Sequence, residues 1–143
     1  MGFSVSGSAA LIFVAAFIGF GMFYTATANS AEMVNDAREA QSDRQLERTN
    51  TAIEITTVNY DATSDYLNIT VENTGATELT VSDVDLLADN SYQTGYRTAV
   101  EGDTTTDLWL PQETLAINAT VSPEPTQVKI VTGPGVAATE EVV

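Results

Sequence analysis

The first residue with a charged side chain is Glu32, and the stretch Ala9–Ala28 before it is mostly apolar. No other feature of the sequence restricts the fold as strongly. Twenty helical residues, each rising 1.5 Å, span about 30 Å, which is the hydrocarbon thickness of a bilayer. All five phenylalanines of the chain lie between positions 3 and 23. Phe13, Phe17, Phe20 and Tyr24 follow helical spacing and form one aromatic stripe. Ala9, Ala16 and Gly19 lie toward another face, and Ala15 and Gly19 stand in a small-xxx-small relation that lets helices approach closely in lipid. The candidate packing residues of a membrane helix are therefore Phe13, Ala15, Phe17, Gly19 and Phe20. A cleaved secretory peptide should begin with a basic stretch. A prepilin-type leader also needs basic residues before its cut, and Met1-Gly2 leaves no room for them. The expectation is a retained anchor. Arg38, Arg44 and Arg48 follow it, which by the positive-inside rule would mark the cytoplasmic side. They sit among five acids, so charge alone leaves the side open.

Residues 29–49 contain no glycine or proline and are rich in Ala, Glu, Gln and Arg, which favour helix. Apolar positions are few (Met33, Val34, Ala37, Leu46) and do not sustain heptads. The spacing predicts one helix continuing to about Thr49 as a polar stalk. Helical, that stalk is about 30 Å long.

From Asn50 the period changes to two. "AIEITTVNY" alternates Ile53, Ile55 and Thr57 with polar neighbours, and "YLNITVEN" alternates Leu67, Ile69 and Val71. "ELTV", "VDLLA", "LWL", "TLAINATV" and "QVKIVT" follow, separated by turn signals such as Asn73-Thr74-Gly75, Asp89-Asn90-Ser91 and Glu101-Gly102-Asp103. Short strands with one apolar face each predict an all-β antiparallel sandwich. Trp109, between Leu108 and Leu110, is assigned to its core. The expected organisation is an anchor helix over 1–29, a polar helical stalk over 30–49, a β sandwich over 50–132 and a flexible acidic tail over 133–143.

Composition narrows function. The chain has no cysteine and no histidine, which removes disulfides, thiolate chemistry, and the commonest general base and metal ligand. Residues 50–143 carry fifteen acids against Arg97 and Lys129. Such a surface repels nucleic acid. It also repels itself, and strong salt relieves that strain by shortening the Debye length to about 3 Å at 1 M. A halophilic protein is the expectation.

The acids do not assemble into a convincing site. Asp83, Asp85 and Asp89 offer carboxylates of the kind Ca²⁺ takes, but EF-hand spacing is missing. A paired-carboxylate glycosidase needs a cleft deeper than so small a sandwich provides. No enzyme, cofactor or metal site is expected. Asn68-Ile69-Thr70 and Asn118-Ala119-Thr120 are N-glycosylation sequons in predicted strands, at polar positions facing solvent. "DNSYQTGYRTAVEGD" is the longest stretch without a clean strand pattern. It holds Tyr92, Tyr96 and Arg97, residue types common at interface hot spots. They are candidate contacts to a partner protein or a second copy of the chain, as a homodimer. An ordinary core or strand role is the rival reading for each tyrosine.

The run "GFSVSGSAA", the following Phe, Tyr, Asn and Glu positions through "NDAREAQ", and the stretch "LNITVENTGATELTVSDVDLLADNSY" resemble the haloarchaeal archaellum accessory protein F family, FlaF/ArlF. The first 40 residues are the specific part of this resemblance. It implies a single membrane anchor and an immunoglobulin-like domain on the extracytoplasmic side. It further implies a non-enzymatic role in the archaellum motor, with the domain binding S-layer protein as a stator element beside sister protein G. The alternative is an archaellin- or pilin-like filament subunit whose N-terminal helix packs in a filament core.

Overall fold

A computed structural model describes residues 2–142. Met1 and Val143, the outer ends of the expected anchor and tail, lie outside the described residues. One helix, α1, runs over Gly2–Asn50. No proline interrupts it, and its hydroxyls bond back to its own carbonyls. Thr25 Oγ1 donates to Gly21 O at 2.9 Å, Thr27 Oγ1 to Phe23 O at 2.9 Å and Ser30 Oγ to Ala26 O at 2.8 Å. These bonds satisfy three hydroxyls of an otherwise apolar stretch within the helix itself.

Among the described residues ten strands follow: β1 Ile53–Asp61, β2 Tyr66–Asn73, β3 Leu79–Thr80, β4 Asp85–Ala88, β5 Ser91–Gln93, β6 Arg97–Val100, β7 Leu108–Trp109, β8 Thr114–Thr120, β9 Gln127–Val131 and β10 Ala137–Glu141. They form two four-stranded sheets, β1-β2-β8-β6 and β10-β9-β4-β5, and a small β3-β7 ribbon. Every pairing is antiparallel. The fold is an apolar helix followed by an all-β antiparallel sandwich. Inward residues of the two sheets meet in one core, with Leu67, Ile69, Val71, Leu115 and Ile117 from the first and Leu86, Val128 and Ile130 from the second. Alternation of buried and exposed positions along β2 and β8 is the period read in the sequence.

Three details differ from the sequence reading. In β1 the register shifts between Ile55 and Thr57. This bulge rephases the strand, so Thr57 faces solvent and Val58 and Tyr60 pack on the core. The end of the chain is not a free tail. Gly133–Gly135 turn the chain, Gly135 has φ +81°, and Ala137–Glu141 pairs with β9 from Ala137↔Val131 to Glu141↔Gln127. Two glycines around a proline form the turn of a hairpin here. Trp109 is fully buried, but Leu108 and Leu110 are exposed. Its neighbours alternate away from the core, and burial comes from its own position in the β7 ribbon.

The chain divides into two compact units, Met1–Asp43 and Arg44–Val143. The second includes the last turns of α1, fastened to the β2–β3 turn. Gly75 N–H donates to Ala52 O at 2.9 Å and Ala76 N–H to Asn50 O at 2.8 Å. Thr51 Oγ1 donates to Glu47 O at 2.8 Å. Asn73, fully buried, organises the turn. Its Nδ2 donates to Thr77 O at 2.9 Å and Trp109 O at 3.3 Å, and its Oδ1 accepts from Gly75 N at 3.1 Å. A Cβ on Gly75 would lie 2.5 Å from Ala52 N and 2.6 Å from Asn50 O, both backbone atoms. Gly75→Ala is therefore expected to destabilise the domain by about 1–3 kcal/mol, the usual cost of overpacking. Urea unfolding measures it, and a variant as stable as wild type would show that the joint yields freely.

Candidate interaction surfaces

The stretch around Tyr92 crosses from one sheet to the other. β4 and β5 form a hairpin whose two loop residues, Asp89 and Asn90, have φ of 47° and 64°. That is the left-handed pair of a two-residue hairpin, which Asn and Asp tolerate. Gly95, at φ +75°, then carries the chain into β6. β5 and β6 are the edge strands of their sheets, opposite the edges where β1 and β10 approach each other.

The three candidate contact residues have separate fates. Tyr92 is paired with Leu87 and 60% exposed. Its hydrogen bond to the Asp85 carboxylate, with the nearby negative charge, raises its hydroxyl above the ordinary tyrosine value. Tyr96 packs against the core, and its hydroxyl donates to Val84 O. Burial, then the proximity of Tyr92 and Asp85, raises its pKa. Tyr96 thus has the core role that was the rival reading. Arg97 is exposed at the start of β6 and paired with Asn118. The structure leaves Tyr92 and Arg97 as surface groups on two neighbouring edges.

Of the acids offered as a Ca²⁺ site, Asp89 serves in a turn clamp, as Asp61 and Asp103 also do. Asp89 Oδ1 accepts from Thr126 N at 3.0 Å and Gln127 N at 3.1 Å, which fastens the β8–β9 loop to the β4–β5 hairpin. Asp61 accepts from Thr63 N at 2.9 Å and Ser64 Oγ at 2.8 Å, and Asp103 from Thr105 N at 2.8 Å. All three carboxyls are held below the ordinary aspartate value, first by the hydroxyls of Ser64 on Asp61, Thr126 on Asp89 and Thr105 on Asp103, and then by the backbone donors. Asp83 lies beside Gly133. Among the described residues no group of three or more His, Cys, Asp or Glu could hold a metal ion. Sequence reasoning missed these turn clamps. An Asp two residues before a Thr, as in Asp61 and Asp103, was the available signal.

Phe13, Phe17 and Phe20 are 76%, 83% and 76% exposed, and Ala15 and Gly19 are exposed with them. Among the described residues, α1 is the one helix long and apolar enough to cross a membrane by length and composition, with a mean hydropathy of 2.0 in its best window. The two sequon asparagines, placed independently by the sequence, stand directly opposite each other on β2 and β8.

A lipid-length apolar helix and one antiparallel sandwich define a class of single-helix, single-sandwich proteins whose surfaces are strand edges and sheet faces. Comparison with known proteins narrows this. The archaeal-type flagellin family model matches residues 2–142, and the chain belongs to that family. It is an archaellum protein. No curated protein is similar enough to count as a match. Among solved structures, the archaellum periplasmic stator protein FlaG from Sulfolobus acidocaldarius is similar at 16% identity, covering 63% of this chain and 97% of that one, with a TM-score of 0.47. The archaellum periplasmic stator protein complex of FlaF and FlaG from the same organism is similar at 17% identity, covering 62% and 85%, with a TM-score of 0.44. Likenesses of this strength decide neither fold nor role here.

Proposed function

We propose that this chain is a membrane-anchored, non-enzymatic component of the archaellum motor. Its β domain lies outside the cell membrane, binds S-layer protein and serves as a stator element beside sister protein G. The observation that carries this reading is the division of α1. Between Ser6 and Ala31 it bears no charged side chain, and from Glu32 to Arg48 it bears five acids and three arginines. The first part suits lipid. The second has too few apolar residues for a stripe that like helices would bury, and a helix polar all round belongs in water. A charged stretch of about 25 Å suits a stalk leaving a membrane better than a helix continuing into a packed core. The likeness of the first 40 residues to accessory protein F supplies the S-layer and the outer side. A rotary filament needs a fixed body to push against, and a fluid bilayer alone does not provide one.

A second reading, a filament subunit, is favoured by the description of the family itself. One fractionation separates the two. Cells are sheared, and membranes and filaments are recovered separately and washed with alkaline carbonate. A stator anchor stays in washed membranes, and external protease reaches its β domain. Recovery with sheared filaments replaces the proposal with the second reading. Within the stator reading, Tyr92→Ala with Arg97→Ala is expected to leave the fold intact and to weaken S-layer co-purification and swimming. Tyr96 is left unchanged because it supports the core. Full binding and motility in the folded double variant would take the β5 and β6 edges out of the contact.

A further inference from the structure

The two sheets turn chemically different faces outward. On β1-β2-β8-β6, register sets Asn59, Asn68, Asn118 and Arg97 in one row across the strands. On β10-β9-β4-β5 the central row is Thr139, Lys129, Leu87 and Tyr92, and the row beside it is Ala137, Val131 and Asp85. Leu86 and Ala88 on either side of Leu87 are buried, as are Val128 and Ile130 on either side of Lys129. Leu87, Lys129 and Val131 therefore point away from the core. They are half-buried, and Tyr92 and Ala137 are exposed. The solvent face of an antiparallel sheet is ordinarily polar, so an outward leucine, valine and tyrosine side by side form an apolar patch of the kind that marks a contact. At its centre stands Lys129, one of two cations among residues 50–143, which carry fifteen acids. The acids of this face lie off the central row, with Asp85 hydrogen-bonded to the Tyr92 hydroxyl and Glu141 opposite Gln127.

We propose that the outer face of β10-β9-β4-β5 is where the domain docks its protein partner, and that the partner offers an aliphatic segment with one carboxylate set to meet Lys129. This rests on the reading of the domain as a binder of S-layer protein, and it names the surface and the chemistry of that contact. Leu87, Val131, Ala137 and the Tyr92 ring receive the aliphatic side chains. The Lys129 amine receives the carboxylate, and the apolar groups around such a pair keep salt from screening it as it screens exposed charges. Two large apolar side chains and a tyrosine closing over a single ion pair are the make-up of an interface hot spot. Tyr92 closes the patch at the β5 edge, so its exposure belongs to this face as much as to that edge. A second copy of the domain is the poorer occupant. It would bring a further formal charge of −13 against the first, and two such surfaces repel each other.

The test measures binding of the full chain, in detergent and multimolar salt, to purified S-layer protein from the same cells. Leu87→Asp is expected to weaken binding about tenfold or more, the loss typical of a hot spot. Ala137→Arg, at an exposed position on the same face, obstructs it without touching the core and is expected to act alike. Lys129→Glu is expected to weaken binding to a similar degree, and Lys129→Arg to retain it. Asn59→Asp adds the same charge to the opposite sheet and is expected to change nothing. Circular dichroism confirms that each variant is folded. Wild-type binding that survives both Ala137→Arg and Lys129→Glu overturns the proposal and leaves the S-layer reading standing. Equal losses in Leu87→Asp and Asn59→Asp overturn it too, since added charge and not this face would then be the cause. A wild-type chain that sediments as a dimer and becomes monomeric in Ala137→Arg gives the face to a second copy instead. No binding by the wild type sinks the S-layer reading itself, and this assignment with it.

Discussion

Transferred from multimolar to about 0.1 M salt, the protein is expected to lose the strand signal of its β domain in circular dichroism. Residues 50–143 carry a formal charge of −13, and only Arg97 and Lys129 offset it. The Debye length grows from about 3 Å at 1 M to about 10 Å at 0.1 M, so carboxylates on neighbouring strands and loops begin to repel one another. The core is too small to absorb much of that repulsion. Acid has two opposed effects below about pH 4, where aspartates titrate. Protonation relaxes the repulsion. It also removes the clamps of Asp61, Asp89 and Asp103, whose folded values are depressed. Their contribution is present above the unfolded value and lost as pH falls through the folded one. At low salt mild acid should therefore restore structure before stronger acid removes it. Equal unfolding midpoints in 0.1 M and multimolar salt would contradict the halophilic reading.

Trp109→Ala is expected to cost about 3–5 kcal/mol, the range for deleting a large aromatic from a core. The ring is fully buried, and its Nε1 donates to Glu113 O at 2.8 Å. Its carbonyl accepts from the buried Asn73 side chain. Removing the ring empties the space beneath the β3-β7 ribbon and leaves Glu113 O without its indole donor, while the backbone carbonyl that Asn73 uses remains. Against a total of about 5–15 kcal/mol for a domain, that is a large share. The melting point in high salt should fall by more than about 12 °C, at roughly 4 °C or more per kcal/mol. Trp109→Phe should cost less, since it keeps most of the apolar surface and loses only the indole donor. A melting point within a few degrees of wild type for the alanine variant would mean that Trp109 is not the core residue its burial indicates.

What the sequence disclosed follows from which physical terms are local. The apolar opening and the strands with strict alternation, such as Leu67-Ile69-Val71 and Leu115-Ile117, were legible because burial imposes a period on neighbouring residues. The bulge at Ile55–Thr57 was not, because a register shift is decided by the partner strand. β10 was hidden for a related reason. "AATEE" has little apolar content, and it forms a strand because β9 offers an open edge. Tyr96 and Tyr92 look alike in sequence, and only the sheet-to-sheet crossing buries one and leaves the other out. The pairing of the two sequons lies fifty residues apart along the chain and existed in no local pattern.

The fastening of Asn50 and Ala52 to Gly75 and Ala76 gives the domain two parallel routes for force. A pull or twist entering at the end of α1 passes along the covalent chain into β1, an edge strand, and across the two hydrogen bonds into the turn that closes β2, an interior strand. Without the second route, load would peel β1 away one hydrogen bond at a time. With it, β1 and β2 are drawn together and their bonds break only in concert. Within the Arg44–Val143 unit, the last turn of the helix thus meets the sandwich as a bracket instead of a hinge.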